Sequence, residues 1–268
     1  MDKRPIGFFD SGLGGLTCIP HMEELLKTES IIYFGDTART PYGSKSVKTI
    51  KTFADQAAGF LVENNVKMIV IACNTVSATC LPDLSKKYPE IPVVGIIEPA
   101  CEEAALTSTG DTRLGIIGTK VTVDSLVYEK TIHEYAGDLA VFQKACPAFV
   151  PLIEEGIINN DIMDLTIHYY LDDFIMENRI NTLILGCTHY PLIRAHIERA
   201  YPNLRIIDPS RIIVKRIGEI LREKDLLSEG PAHLNKFYAS DLSAGFTNMI
   251  DLIFKETKAS VHFKNLEL

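Results

Sequence analysis

The chain has 268 residues, enough at about 150 per domain for two domains with sizeable cores. Apolar residues make up 46% and charged residues 23%, the balance of a soluble globular protein, and a net charge of −8 argues against a non-specific nucleic-acid binder or a membrane-surface protein. No apolar run approaches the roughly 20 residues that span a bilayer, and no secretion signal is visible, so a cytoplasmic protein with six reduced cysteines is expected.

A strand is predicted over residues 4–9, and Gly12-Leu13-Gly14-Gly15 then turns into a helix to about residue 27. Residues 31–34 read as a second strand. Ser44 is the expected N-cap of a long helix in which Val47, Ile50, Ala54, Ala57, Ala58 and Leu61 recur at helical spacing. Residues 67–72 read as a strand, followed by a helix to about residue 87 and a strand at 92–96. The second half repeats the theme, with strands at 114–117, 139–142, 182–185 and 204–207 separated by helices. After Pro209 come a helix to about residue 223, a strand near 236–239, a helix from Ser243 and a strand near 261–263. Such alternation predicts an α/β fold of doubly wound domains with mainly parallel sheets.

Two segments look like copies of one another. Met68-Ile69-Val70-Ile71-Ala72-Cys73-Asn74-Thr75 and Thr182-Leu183-Ile184-Leu185-Gly186-Cys187-Thr188-His189 are both apolar runs that stop at a small residue. Each then gives a cysteine and two hydrogen-bonding residues. Gly7-Phe8-Phe9-Asp10-Ser11 resembles Gly115-Ile116-Ile117-Gly118-Thr119, Pro41 matches Pro151, and Ile97-Glu98-Pro99 is echoed by Ile207-Asp208-Pro209, all about 110 residues apart. The expectation is two similar domains related by pseudo-symmetry, with the active site in the cleft between them. The tail after Pro209 has no partner in the first repeat. It is expected to return, so that residues 1–98 with 209–268 form one domain and 99–208 the other.

Buried strands that end this way bring their loops to the carboxyl edge of a sheet, where open α/β sheets bind ligands. Asp10-Ser11-Gly12-Leu13-Gly14-Gly15 lacks the Gly-x-Gly-x-x-Gly spacing of a dinucleotide site. A carboxylate beside free backbone N–H groups suits an amino acid, which carries both an ammonium and a carboxylate. In the loop from Gly35 to Ser44, Pro41, Tyr42 and Gly43 make a stiff segment suited to close approach, whereas Asp36, Arg39 and Thr40 read as turn residues. Cys18, Cys80, Cys101 and Cys146 read as buried structural thiols. Cys73 and Cys187 sit at strand-to-helix junctions, where a helix N-terminus is expected to lower the thiol pKa. A zinc site from Cys73, Cys187 and His189 has unfavourable Cys-x-His spacing and no clear fourth ligand.

Racemisation at a carbon bearing hydrogen removes a proton from one face and returns one to the other. Two thiols on opposite sides of a cleft supply that pair, with roles that exchange with direction. Ser11, Asn74, Thr75 and Thr188 are placed to hold an α-carboxylate, and Asp10 and His189 to tune the thiols or assist proton transfer.

The motifs Asp10 to Gly15, Gly35-Asp36-Thr37-Ala38-Arg39 with Pro41-Tyr42-Gly43, Ala72-Cys73-Asn74-Thr75 and Leu185-Gly186-Cys187-Thr188-His189-Tyr190-Pro191-Leu192 together resemble glutamate racemase, in the family's order. The resemblance implies a cofactor-independent enzyme that interconverts L- and D-glutamate and supplies D-glutamate for peptidoglycan. It implies proton transfer by Cys73 on the D-enantiomer and by Cys187 on the L-enantiomer. Substrate contacts carry over to Asp10, Ser11, Tyr42, Gly43, Asn74, Thr75, Thr188 and His189, with Thr119 as a further candidate. Family members are often homodimers. An aspartate racemase of the same superfamily, a thiol hydrolase using one Cys–His pair and a non-catalytic amino-acid-binding protein are the competing readings. A pyridoxal phosphate enzyme would need a Schiff-base lysine in a phosphate cradle, and neither Lys45 nor Lys120 has that context.

Overall fold

The computed structural model describes residues 2–230, 235–242, 250 and 261–266. In chain order the first half contains β1 (Ile6–Asp10), α1 (Ile19–Leu25), β2 (Ile31–Gly35), α2 (Val47–Glu63), β3 (Met68–Ile71), α3 (Asn74–Lys87), β4 (Val93–Gly95) and α4 (Ile97–Leu106). The second contains β5 (Arg113–Gly118), α5 (Lys120–Asp124), α6 (Val127–Tyr135), β6 (Ala140–Ala145), α7 (Phe149–Glu154), α8 (Asp161–Asn178), β7 (Thr182–Gly186), α9 (Arg194–Ala200) and β8 (Arg205–Ile207). Then follow α10 (Pro209–Glu223), β9 (Lys236–Ala239) and β10 (Val261–Phe263).

One sheet runs β10-β9-β2-β1-β3-β4 and the other β6-β5-β7-β8, with every described pairing parallel. The inner run β2-β1-β3-β4 has the same order as the whole second sheet. β1 therefore corresponds to β5, β2 to β6, β3 to β7 and β4 to β8. The duplication read from short motifs is repeated in the strand order, and the α/β class holds.

The central strands are apolar because helices cover both of their faces. β1, β3 and β7 are buried at every position. Alternate side chains serve different cores, as the pleat requires. Ile6, Phe8 and Val70 join the large cluster that continues through α10 and the second sheet, whereas Phe9, Ile69 and Ile71 pack under α2. The helix predicted to reach residue 27 is a 3-10 turn, Gly14–Cys18, followed by α1.

The expected cap at Ser44 is corrected. Ser46 caps α2, its Oγ accepting from the Thr49 N–H at 3.2 Å, and Ser44 ends the 3-10 turn Tyr42–Ser44. A cap oxygen must reach an N–H of the first turn, and Ser44 stands two residues too early. The helix predicted from Ser243 lies outside the described residues. Among those residues no helix is long and apolar enough to cross a membrane.

Candidate active site

The carboxyl ends of β1, β3, β5 and β7 converge on a small cavity. Ser11, Tyr42, Gly43, Cys73, Asn74, Thr75, Thr119, Cys187, Thr188 and His189 all line it, as do Thr40, Pro41 and Val150. Ten of the eleven residues expected from sequence thus meet in one place. The eleventh, Asp10, stands behind the wall at 1% exposure, accepting from Gly12 N at 3.1 Å and from Thr188 Oγ1 at 3.4 Å. The cavity has a free volume of about 20 Å³, room for roughly one water molecule.

The two sulfurs are pseudo-equivalent, one after β3 and one after β7, yet their surroundings differ. The Cys73 thiol donates to Ser11 Oγ at 3.4 Å. Burial pushes this thiol up to about 12, the nearby Asp10 carboxylate adds to the rise, and the Ser11 hydroxyl and the N–H groups of Val76 and Ser11 oppose it. The expected lowering is overturned: Cys73 does cap α3, but losing water disfavours the thiolate more than the helix end favours it. At Cys187 the expected helix is absent. The chain continues through Thr188 and His189 into a 3-10 turn, Tyr190–Ile193, and α9 begins only at Arg194.

What Cys187 has instead is histidine. Its sulfur lies 3.9 Å from His189 Nδ1, and His189 Nε2 lies 3.1 Å from Glu154 Oε1. Burial alone would hold the imidazolium down, but Cys187 and Glu154 outweigh it and lift His189 to about 10. Asp10 is raised above the usual carboxylate range by burial, against the pull of His189 and of the backbone N–H groups of Gly15, Gly12 and Ser11.

The polar wall joins the two halves of the chain. Thr75 Oγ1 lies 2.9 Å from Thr119 Oγ1, which lies 3.0 Å from Thr122 Oγ1. Tyr128 OH donates to Asn74 Oδ1 at 2.7 Å. The Asn74 Nδ2 is left buried with no hydrogen-bond partner among the described residues, a donor available to a carboxylate. Thr40 Oγ1 donates to Glu154 Oε1 at 3.3 Å. Close approach sets two of the glycines. A Cβ on Gly14 would lie 2.3 Å from Thr188 Oγ1, and one on Gly43 would lie 2.5 Å from Thr119 Cβ.

Tyr42 lines the cavity with its hydroxyl already engaged by Asp36. Asp36 also accepts from Arg39 Nε at 2.6 Å and from Ser240 Oγ at 2.8 Å. In the sequence Asp36, Arg39 and Thr40 read only as turn residues, and Val150, Glu154, Thr122 and Tyr128 carry no motif that marks them. Glu154 gives no signal in sequence, because an acidic pair at a helix end looks like solvated surface. Among the described residues no group of His, Cys, Asp and Glu is arranged to hold a metal ion.

Comparison with known proteins agrees with this geometry. Residues 6–217 match the Asp/Glu/Hydantoin racemase family. A glutamate racemase of Persephonella marina is 41% identical over 263 residues, covering 98% of this chain and 97% of that protein. One of Chlorobaculum tepidum is 43% identical over 250 residues, covering 92% and 91%. The crystal structure of glutamate racemase from Francisella tularensis in complex with D-glutamate superposes with a TM-score of 0.93 at 36% identity, covering 100% of this chain and 99% of that one. A fold with two matching parallel sheets, a cavity between their carboxyl ends and relatives alike over nearly their whole length lead to one conclusion: the chain belongs to the Asp/Glu/Hydantoin racemase family.

Proposed function

We propose that the chain interconverts L- and D-glutamate by two-base proton transfer between Cys73 and Cys187, supplying D-glutamate for peptidoglycan. The observation that carries the mechanism is a pair of pseudo-equivalent sulfurs on one cavity, each delivered by its own sheet. One sulfur, as thiolate, takes the α-proton from one face of the substrate. The electron pair left at the α-carbon is stabilised through the adjacent carboxylate, toward which Ser11, Asn74, Thr75 and Thr188 direct donors. The other sulfur, as thiol, returns a proton to the opposite face. Protons and charge balance, and the next turnover in reverse restores both groups.

The unequal surroundings fit an enzyme whose two directions use different bases. Cys73 is held in its acid form by burial, ready to donate when Cys187 has abstracted a proton from the L-enantiomer. In the D-to-L direction Cys73 is the base. There a bound ammonium group would favour its thiolate, and His189, whose Nδ1 lies 3.9 Å from the Cys187 sulfur, is placed to stabilise the thiolate that Cys187 becomes as it donates.

A cavity of about 20 Å³ is too small for any amino acid. Residues 1–98 with 209–268 and residues 99–208 therefore act as two bodies that part to admit substrate, with Thr75–Thr119 and Thr40–Glu154 among the contacts that break. A homodimer is part of the same proposal, carried by the family resemblance alone and tested by sedimentation.

The circular dichroism of L-glutamate in D₂O, followed with purified protein, tests the reaction. Decay to zero with deuterium at the α-carbon supports it, and a flat trace sinks it. Cys73→Ser and Cys187→Ser are each expected to lose roughly 10²–10⁴ of the racemisation rate. If either variant keeps full turnover, the two-thiol mechanism is wrong.

A further inference from the structure

A second and larger chamber, about 330 Å³, lies against the small one. The two share Pro41, Gly43, Thr119 and Val150. Pro41 and Gly43 belong to the loop after β2, and Thr119 and Val150 to the half built on the second sheet. The partition is therefore a seam between two parts of the chain, and the separation proposed above would open it. No amino acid fits the inner cavity as it stands, while the outer chamber has space for one.

Among the described residues Lys120 is the only charged side chain on the wall of the outer chamber. It directly follows Thr119, is exposed and forms no ion pair with a described residue. Helix stability does not account for it. Lys120 opens α5, and a cation at a helix N-terminus is mildly unfavourable. The whole chain, at −8, repels an anionic amino acid. A cation at the rim opposes that field locally and favours an anion at the seam.

We propose that the outer chamber is the entry vestibule of the cavity and that Lys120 is its capture site for a carboxylate of an anionic amino acid. This rests on the racemase reading above. A capture residue acts on the encounter, so its removal lowers kcat/KM and leaves the saturated rate alone. Its effect is also screened by salt, which a purely structural lysine would not predict.

The experiment measures racemisation of L- and D-glutamate by wild type, K120Q, K120R and K224Q at low and high ionic strength. Lys224 is an exposed lysine at the far end of α10, near where the sheet strands begin, and controls for net charge. K120Q is expected to lose roughly three- to tenfold in kcat/KM in both directions at low salt, with kcat unchanged and the difference gone at high salt. K120R and K224Q are expected to match wild type. Equal kcat/KM for K120Q and wild type at low salt overturns the vestibule, and so does an equal loss in K224Q. A wild type inactive on glutamate is a different failure: it removes the racemase reading and this inference with it.

Discussion

At the scale of single residues, chemistry that depends on backbone position was legible and chemistry that depends on a distant partner was not. Cys73 and Cys187 stood out because each ends an apolar run at a sheet's carboxyl edge. What the fold adds is the difference between them, since burial beside Asp10 acts on one and His189 on the other. Glu154 was invisible, because only the fold brings it 3.1 Å from His189. That contact yields a prediction with a definite sign. His189 is raised from 6.5 to about 10, so the stability its charge confers is complete below about pH 6.5 and lost as pH rises through about 10. Glu154→Gln removes one of the two groups that oppose burial, which must bring His189 down. The alkaline limb of the kcat/KM profile should shift to lower pH, with roughly tenfold loss at pH 8 and little change near pH 6. An alkaline limb that stays in place in Glu154→Gln would show that His189 titration does not govern turnover.

At the scale of elements, periodicity found the strands and helices, while their ends followed local hydrogen bonding. The α2 cap sits at Ser46 because its oxygen reaches Thr49 N, a contact that the apolar spacing does not encode. The loop from Asp36 to Gly43 shows the same limit on a functional element. Asp36, Arg39 and Thr40 read as turn residues, yet the two residues that follow β9, far away in sequence, hold the loop in place. Ser240 Oγ donates to Asp36 Oδ1 at 2.8 Å and accepts from Ala38 N at 2.9 Å, while Thr37 Oγ1 donates to Asp241 O at 2.7 Å. Asp36 in turn holds the Tyr42 hydroxyl, and Tyr42 and Gly43 form part of the cavity wall. Ser240→Ala leaves a buried carboxylate short of a donor and an N–H without its acceptor, a cost of about 1–3 kcal/mol. Because the loosened loop carries part of the site, KM for glutamate should rise roughly tenfold with a smaller change in kcat. Ser240→Thr, which keeps the hydroxyl, should restore most of the KM. Denaturation and steady-state kinetics on the same samples separate the two effects, and lost stability with an unchanged KM would confine Ser240 to a structural role.

At the scale of the whole molecule, the duplication was legible because it is written in strand ends, and the strand orders β2-β1-β3-β4 and β6-β5-β7-β8 repeat it. The return of the chain to the first sheet was inferred only from a tail left over. Its physical anchor is a buried ion pair that no pattern in the sequence announces. Lys67 Nζ lies 2.6 Å from Glu29 Oε2, with both side chains fully buried. The same ammonium donates to Asp2 O at 2.8 Å and Leu226 O at 2.7 Å, and Glu29 Oε1 accepts from Ser228 N at 2.8 Å. One cation thus joins the start of the chain, the strand that delivers Cys73 and the segment that leads from α10 back to β9. Replacing it strands a carboxylate away from water, which costs far more than the pair itself contributes. Lys67→Met should therefore destabilise the protein by about 3–5 kcal/mol in urea unfolding. The double variant Lys67→Met with Glu29→Gln should recover part of that loss, because the uncompensated charge is gone. The site lies at the opposite edge of the sheet, so kcat should survive wherever the variant is folded. A Lys67→Met protein of wild-type stability would mean that packing of α10 alone returns the chain to its first sheet.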